Sequence, residues 1–196
     1  MKTKMLTLFL TLFILLGLTG CGSGKDLPME VTLDGYTVVL GETTIQDIVD
    51  LGYEPHLERL PDVASDGDKY ISFYYSLDRG AGDQFWVWVC VPWSGNSDIS
   101  SETTLSLTEG IIKSVTFSKG STEKISASYN GMDIQELSFE YAIDEWGAKE
   151  NDKTTIKAYK ADLKKGYLSM EAESTLDEEL YELTVSLSQK QFDSMQ

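Results

Sequence analysis

The sequence predicts an α+β fold of two related lobes, each a β-hairpin, a short α-helix and a three-stranded antiparallel meander. Three observations carry this. Asp34-Gly35 and Asn130-Gly131 each stand between β-prone segments, the arrangement that favours a tight hairpin turn. Each is followed by a short stretch with a hydroxyl residue at its start and a glycine at its end. After each come three segments in which apolar residues alternate with polar ones, the period of a half-buried strand.

The chain opens on Lys2 and Lys4, runs through largely apolar residues from Met5 to Thr19, and reaches Leu18-Thr19-Gly20-Cys21. A basic start, an apolar run and small residues before a cleavage position make residues 1–20 a secretory signal segment. The run is shorter than the ~20 apolar residues that a bilayer-spanning helix requires. Cys21 is the expected lipidation site, since two or three acyl chains hold a domain at a membrane where one would not. Residues 21–29 then read as a lipidated tether of linker composition, 30–118 as the first lobe and 124–189 as the second.

In the first lobe Val31 to Leu40 forms strand, turn and strand around Asp34-Gly35. Thr44 to Gly52 is a helix with a threonine N-cap, Asp47 three residues on, apolar residues at 45, 48 and 49 and a glycine stop. The meander strands are Lys69–Leu77, Gln84–Trp93 and Ile111–Ser118. In the second lobe Ser126 to Ile134 repeats the hairpin, and Ser138 to Gly147 repeats the capped helix with its first acid, Glu140, one position earlier. The strands there are Thr154–Leu163, Gly166–Glu173 and Tyr181–Ser188. The hairpin glycine precedes the N-cap by nine residues in the first copy and seven in the second, which fits a duplication with a small deletion.

The lipobox, the Leu-Asp-Gly hairpin, the helix ending in Leu-Gly-Tyr and the second ending in Glu-Trp-Gly resemble the small cell-surface lipoproteins of Gram-positive bacteria. The helix-plus-meander repeat is also similar in architecture to tandem-repeat inhibitors of the β-lactamase-inhibitor type and to small outer-envelope assembly lipoproteins. That resemblance implies a binding role by analogy of fold.

Charge narrows the partners. Two of the 16 basic residues leave with the signal segment, so 14 face 32 acids and the mature chain carries a formal charge of −18. Such a field repels nucleic acid and anionic headgroups, and the acids are spread along the chain as on a solvated surface. With Cys21 committed to lipid, Cys90 is alone and no internal disulfide is available. It sits in the apolar run Phe85 to Val91, with no His or Lys nearby in sequence to lower its pKa, and reads as a small buried hydrophobe.

Catalytic patterns are missing. His56 is the only histidine, which excludes a centre built on several imidazoles, and it reads as a surface or capping residue. Asp144 and Glu145 fall on a helix surface, where acids are expected. Asp62 to Asp68 resembles a calcium loop but has Ala64 at the third position and Phe73 at the twelfth, where oxygen ligands are needed. No metal and no cofactor is expected. The candidate site is aromatic. If Ile71, Phe73, Tyr75 and Leu77 face the core, then Tyr70 and Tyr74, with Trp86 and Trp88 of the next strand, share the opposite face. Such a cluster marks either a contact surface or a second buried layer. The expected role is that of a non-catalytic, membrane-anchored extracytoplasmic lipoprotein on the outer face of the cell membrane, binding a protein, peptide or glycan. A wall-active hydrolase with a carboxylate site and a structural spacer are the alternatives.

Overall fold

The computed structural model describes residues 24–59, 70–80, 83–92, 110–122, 124–151, 155–174 and 176–196. The signal segment, Cys21, the Asp62–Asp68 turn and residues 96–104 lie outside the described residues.

Both hairpins form at the dipeptides the sequence marks. Strands β1 (Glu30–Leu33) and β2 (Tyr36–Val39) flank Asp34 and Gly35, at φ 48° and 82°. Strands β7 (Ala127–Tyr129) and β8 (Met132–Asp133) flank Asn130 and Gly131, at φ 50° and 79°. Positive φ at both central positions is what a two-residue turn of this hand demands, and Asp, Asn and Gly tolerate it best. Asp34 does more than turn. Its carboxylate accepts hydrogen bonds from the Tyr53 hydroxyl (2.5 Å), the Arg79 guanidinium (2.5 Å) and the Ser126 N–H (3.1 Å).

Helix α1 (Ile45–Val49) carries a full capping box, in which the Thr44 hydroxyl accepts from Asp47 N–H and the Asp47 carboxylate accepts from Thr44 N–H. Helix α2 (Phe139–Trp146) begins at Ser138, whose hydroxyl accepts from Tyr141 N–H, and ends on Gly147 at φ 67°. Gly52, at φ 92°, lies in the turn after α1. Each helix buries one stripe: Ile45 and Ile48 in α1; Phe139, Ala142 and Trp146 in α2.

The larger sheet contains β3 (Glu54–Arg59), β4 (Tyr70–Asp78), β5 (Gln84–Pro92), β6 (Ile111–Ser118), β9 (Lys149–Glu150), β10 (Ala158–Asp162), β11 (Gly166–Glu171) and β12 (Glu182–Leu187). Its order is β3-β4-β5-β6-β12-β11-β10-β9, and that of the small sheet is β2-β1-β7-β8. All named strand pairs are antiparallel.

This overturns the α+β expectation of two balanced lobes. The described residues form a predominantly β structure of twelve strands, with α1, α2 and a third helix, α3 (Gln189–Met195), as small additions. The meanders of the two halves join through β6 and β12, from Ser118 opposite Glu182 to Ser114 opposite Ser186. The hairpins join through β1 and β7. One hydrophobic cluster runs through both halves, from Val31 and Ile48 to Trp146 and Leu187. The physical reason is edge pairing: each meander ends on a long strand with unpaired backbone groups, and joining the two removes both edges.

Both sheet orders mirror themselves about the central pair. Thr32 and Ser128 each lie two residues before their turn dipeptide, and they are direct cross-strand partners. That is the register a two-fold axis between β1 and β7 requires.

Two strands and one α-helix go beyond what the sequence predicts. Strand β3 is polar and exposed along most of its length, with a bulge between Leu57 and Arg59, as suits an outer edge. Strand β9 has two residues. Helix α3 is capped by Ser188 and buries only Phe192.

Candidate functional site

Alternation gives the eight-stranded sheet two faces. Ile71, Phe73, Tyr75 and Leu77 of β4 point into the core, as do Leu183, Val185 and Leu187 of β12, and all are at most 7% exposed. Their neighbours point the other way, and the strand register arranges them in rows. One row reads Tyr74, Trp88, Ser114, Ser186, Tyr167 across β4, β5, β6, β12 and β11. The next reads Ser76, Trp86, Thr116, Thr184, Ser169.

The pattern is small hydroxyls in the middle and rings at the sides. The central strands β6 and β12 present Ser114, Thr116, Thr184 and Ser186, while β5 and β11 raise Trp88 and Tyr167 on either flank. Three interstrand spacings separate β5 from β11, about 14 Å between backbones. The result is a trough with a cavity of about 320 Å³, to which Ser72 and Lys113 add the remaining polar lining. A register shift between β5 and β6 beside Trp88 admits Lys113, whose ammonium donates to Gln189 Oε1 at 2.6 Å.

The floor is only partly satisfied. The Thr116 and Thr184 hydroxyls bond each other at 2.8 Å. Ser114, 3% exposed, has no hydrogen-bond partner for its Oγ among the described residues. A buried hydroxyl without a partner is costly, and this one lies in the lining of the cavity.

The four aromatic residues singled out from the sequence separate into two environments. Tyr74 and Trp88 pack together with centroids 4.9 Å apart and rings tilted by 36°. Burial, then the nearby Glu182 and Glu58 carboxylates, pushes the Tyr74 hydroxyl up to about 12, so it is a neutral donor at physiological pH. Trp86 is half-buried opposite Thr116. Tyr70 instead meets Phe192 of α3 edge-on at 5.2 Å and packs against the core cluster. The residues missed by sequence reasoning are Tyr167 and the four hydroxyls. Their alternation with Val115, Phe117, Leu183 and Val185 is readable in the sequence, but the pairing of β6 with β12 is not.

The other candidates fall elsewhere. Cys90 is buried at 1% exposure, its Sγ 3.2 Å from Ser72 Oγ, and burial pushes the thiol up. His56 Nε2 lies 2.6 Å from Asp78 Oδ2 at the sheet edge, with half its side chain exposed. Asp144 and Glu145 are exposed on α2. Glu182 stands opposite Glu171 beyond the end of the trough, its carboxyl raised by burial and then by that neighbouring charge. No group of three or more His, Cys, Asp or Glu among the described residues could hold a metal ion. Among the same residues no helix is long and apolar enough to cross a membrane. A larger cavity, about 490 Å³, lies between α2 and β10 and is lined by residues including Phe139, Lys157 and Tyr159. Both of its lysines are engaged, Lys157 with the Glu178 carboxylate and Lys119 donating to Leu137 O at 2.6 Å.

No protein-family model, curated protein or solved structure matches this chain.

Proposed function

We propose that this protein is a non-catalytic binding module, held on the outer face of the membrane through lipid on Cys21, that takes a neutral glycan into the trough of its larger sheet. The observation that carries the reading is the contrast between the hydroxyl floor and the ring walls. Ser114, Thr116, Thr184 and Ser186 can exchange hydrogen bonds with sugar hydroxyls in either direction. Trp88 offers a flat apolar face against which the C–H face of a pyranose can lie, and Tyr167, whose ring the Lys160 ammonium overlies at 4.7 Å, offers a second ring. A protein partner would instead call for apolar pockets to receive anchoring side chains, and the trough floor is hydroxyl. Its lining carries no carboxylate, and Lys113 is its only charged group. That composition favours a neutral ligand over an acidic or basic one.

The test is titration of the full chain with neutral and uronic-acid-containing oligosaccharides, followed by tryptophan fluorescence and calorimetry. Saturable binding of a neutral oligosaccharide, lost in Trp88→Ala and weakened in Ser114→Val, is the expected result. Absence of binding, or binding that Trp88→Ala leaves unchanged, overturns the reading. Slow cleavage of a bound oligosaccharide, abolished by Glu182→Gln, would favour the hydrolase alternative.

We also propose that the two halves arose by duplication, supported by the mirrored strand orders and by the capped helices at Thr44 and Ser138. In a crystal structure a rotation near 180° that brings Thr32 onto Ser128 should bring Thr44 near Ser138. A best-fit rotation far from 180° would refute it.

A further inference from the structure

The described chain begins fixed to one end of the larger sheet. Lys25 N–H donates to Asp162 O at 3.2 Å, Lys164 N–H donates to Lys25 O at 3.1 Å, and Lys25 bridges Leu163 in parallel. Gly24 lies so close to the β10–β11 turn that a Cβ there would sit 2.6 Å from the Leu163 carbonyl carbon. Whatever precedes Gly24 therefore joins the domain at that turn.

The same end carries an excess of positive charge in an otherwise acidic protein. Lys25, Lys164 and Lys165 stand at the turn and Lys149 and Lys160 lie side by side at the middle of β10, against Asp26, Glu145, Glu150 and Asp162. Lys164 is paired with Asp26 and Lys160 with Asp162, whereas Lys149 and Lys165 have no ion pair among the described residues. All five lysines are exposed. The other end of β11 and β12 is acidic: Glu171, Glu173, Asp177, Glu178, Glu179 and Glu182 gather there, with Lys119 and Lys157 as counter-charges. Six residues of β11 separate the two ends by about 17 Å. The sheet is thus electrically polarised along its strands, with the positive end where the tether departs.

We infer that this lysine-bearing turn rests on an anionic phospholipid surface and orients the domain with its acidic end away from the bilayer. The inference builds on the lipid-anchor reading of Cys21. Two residues, Gly22 and Ser23, separate Cys21 from Gly24, and the three residue steps reach at most about 10 Å. That is about one screening length at physiological salt, so the turn lysines stay within range of the headgroup phosphates. The net charge of −18 opposes contact of the domain as a whole with such a surface, and the polarity selects the one orientation in which the repelled groups stand farthest off. The acyl chains on Cys21 hold the domain at the bilayer without fixing its orientation, and the lysine patch supplies direction.

The experiment uses the full lipidated chain on vesicles of phosphatidylcholine alone and of phosphatidylcholine with phosphatidylglycerol. Lysines are acylated with an uncharged reagent and quantified by mass spectrometry. Lys149, Lys164 and Lys165 are expected to react several-fold more slowly on the anionic vesicles, with recovery at high salt. Lys124, exposed near Asp83 at the opposite end, should react equally on both. The triple variant K149Q/K164Q/K165Q should expose Lys25 and Lys160 equally on both vesicles. Equal acylation of the wild-type turn on both vesicles overturns the docking while leaving the anchor in place. Failure to float with phosphatidylcholine vesicles overturns the anchor, and this inference with it.

Discussion

The two faces of the larger sheet are written on the same strands, yet they obey different rules. On the core face of β5, Phe85, Val87, Val89 and Val91 alternate with the outward Trp86, Trp88 and Cys90, and every inward residue is at most 7% exposed. On the open face the largest side chains stand on the flanks, and the middle is left to serine and threonine. The core face is selected for filling space; the open face leaves a shaped space unfilled. A period of two lets one strand serve both ends, because each residue belongs to one face only.

This contrast can be broken by mutation, starting with its stronger side. Phe117→Ala, at a fully buried core position, should cost about 3–5 kcal/mol, read as a large drop in the denaturant midpoint. A loss below about 1 kcal/mol would mean the core face is less tightly packed than its burial indicates. Replacing Trp86 and Trp88 together by Ala should destabilise clearly less than Phe117→Ala, because both rings are half-buried, while lowering oligosaccharide affinity by roughly tenfold or more. Unfolding of that double variant at ambient temperature would place the two rings in the structural core.

Two milder changes sharpen the comparison. Ser114→Ala removes a buried hydroxyl that has no partner among the described residues, so stability should stay within about 0.5 kcal/mol of wild type or rise. A marked loss in thermal melts would show that the hydroxyl is already satisfied. Glu182→Gln tests the acidic end. Burial and Glu171 raise the folded-state pKa above the ordinary 4.5, so the folded protein holds this proton more tightly than the unfolded chain does. Stability therefore falls as pH rises through the folded pKa, and the charged carboxylate is a burden above it. The variant should melt slightly higher than wild type at pH 7, with the gain disappearing as pH falls below 4.5. A constant difference across pH would contradict this.

Local chemistry was legible wherever it was self-contained. Asp34-Gly35 and Asn130-Gly131 announce their turns, Thr44 and Ser138 announce their caps, and the alternation of Ile111 to Ser118 delimits β6. What could not be read is how edges meet. Side-chain alternation says which face of a strand is buried and nothing about which strand pairs with it, so β6 and β12 looked like the ends of separate meanders. The helices looked like a layer, but five and eight residues cover too little sheet to set the fold class. Helix α3 has one buried residue, Phe192, and no apolar stripe to advertise it. Without α3 in view, the alternation of β4 alone assigns Tyr70 to the open face. The ring walls at Tyr74 and Trp88 were visible from the alternation of β4 and β5, whereas the hydroxyl floor required the long-range pairing.

The junction of β6 with β12 also sets when this protein can fold. Strand β6 ends at Ser118 and its partner begins at Glu182, so the middle of the sheet stays open until nearly the whole chain has emerged. The same delay applies to β1, which waits for β7. Contacts of such long sequence separation make folding slow and leave strand edges bare in the meantime. A chain built this way stays open at its centre until Glu182–Leu187 are available to pair with β6. Truncation before Glu182 should accordingly yield an aggregation-prone chain rather than a smaller working domain.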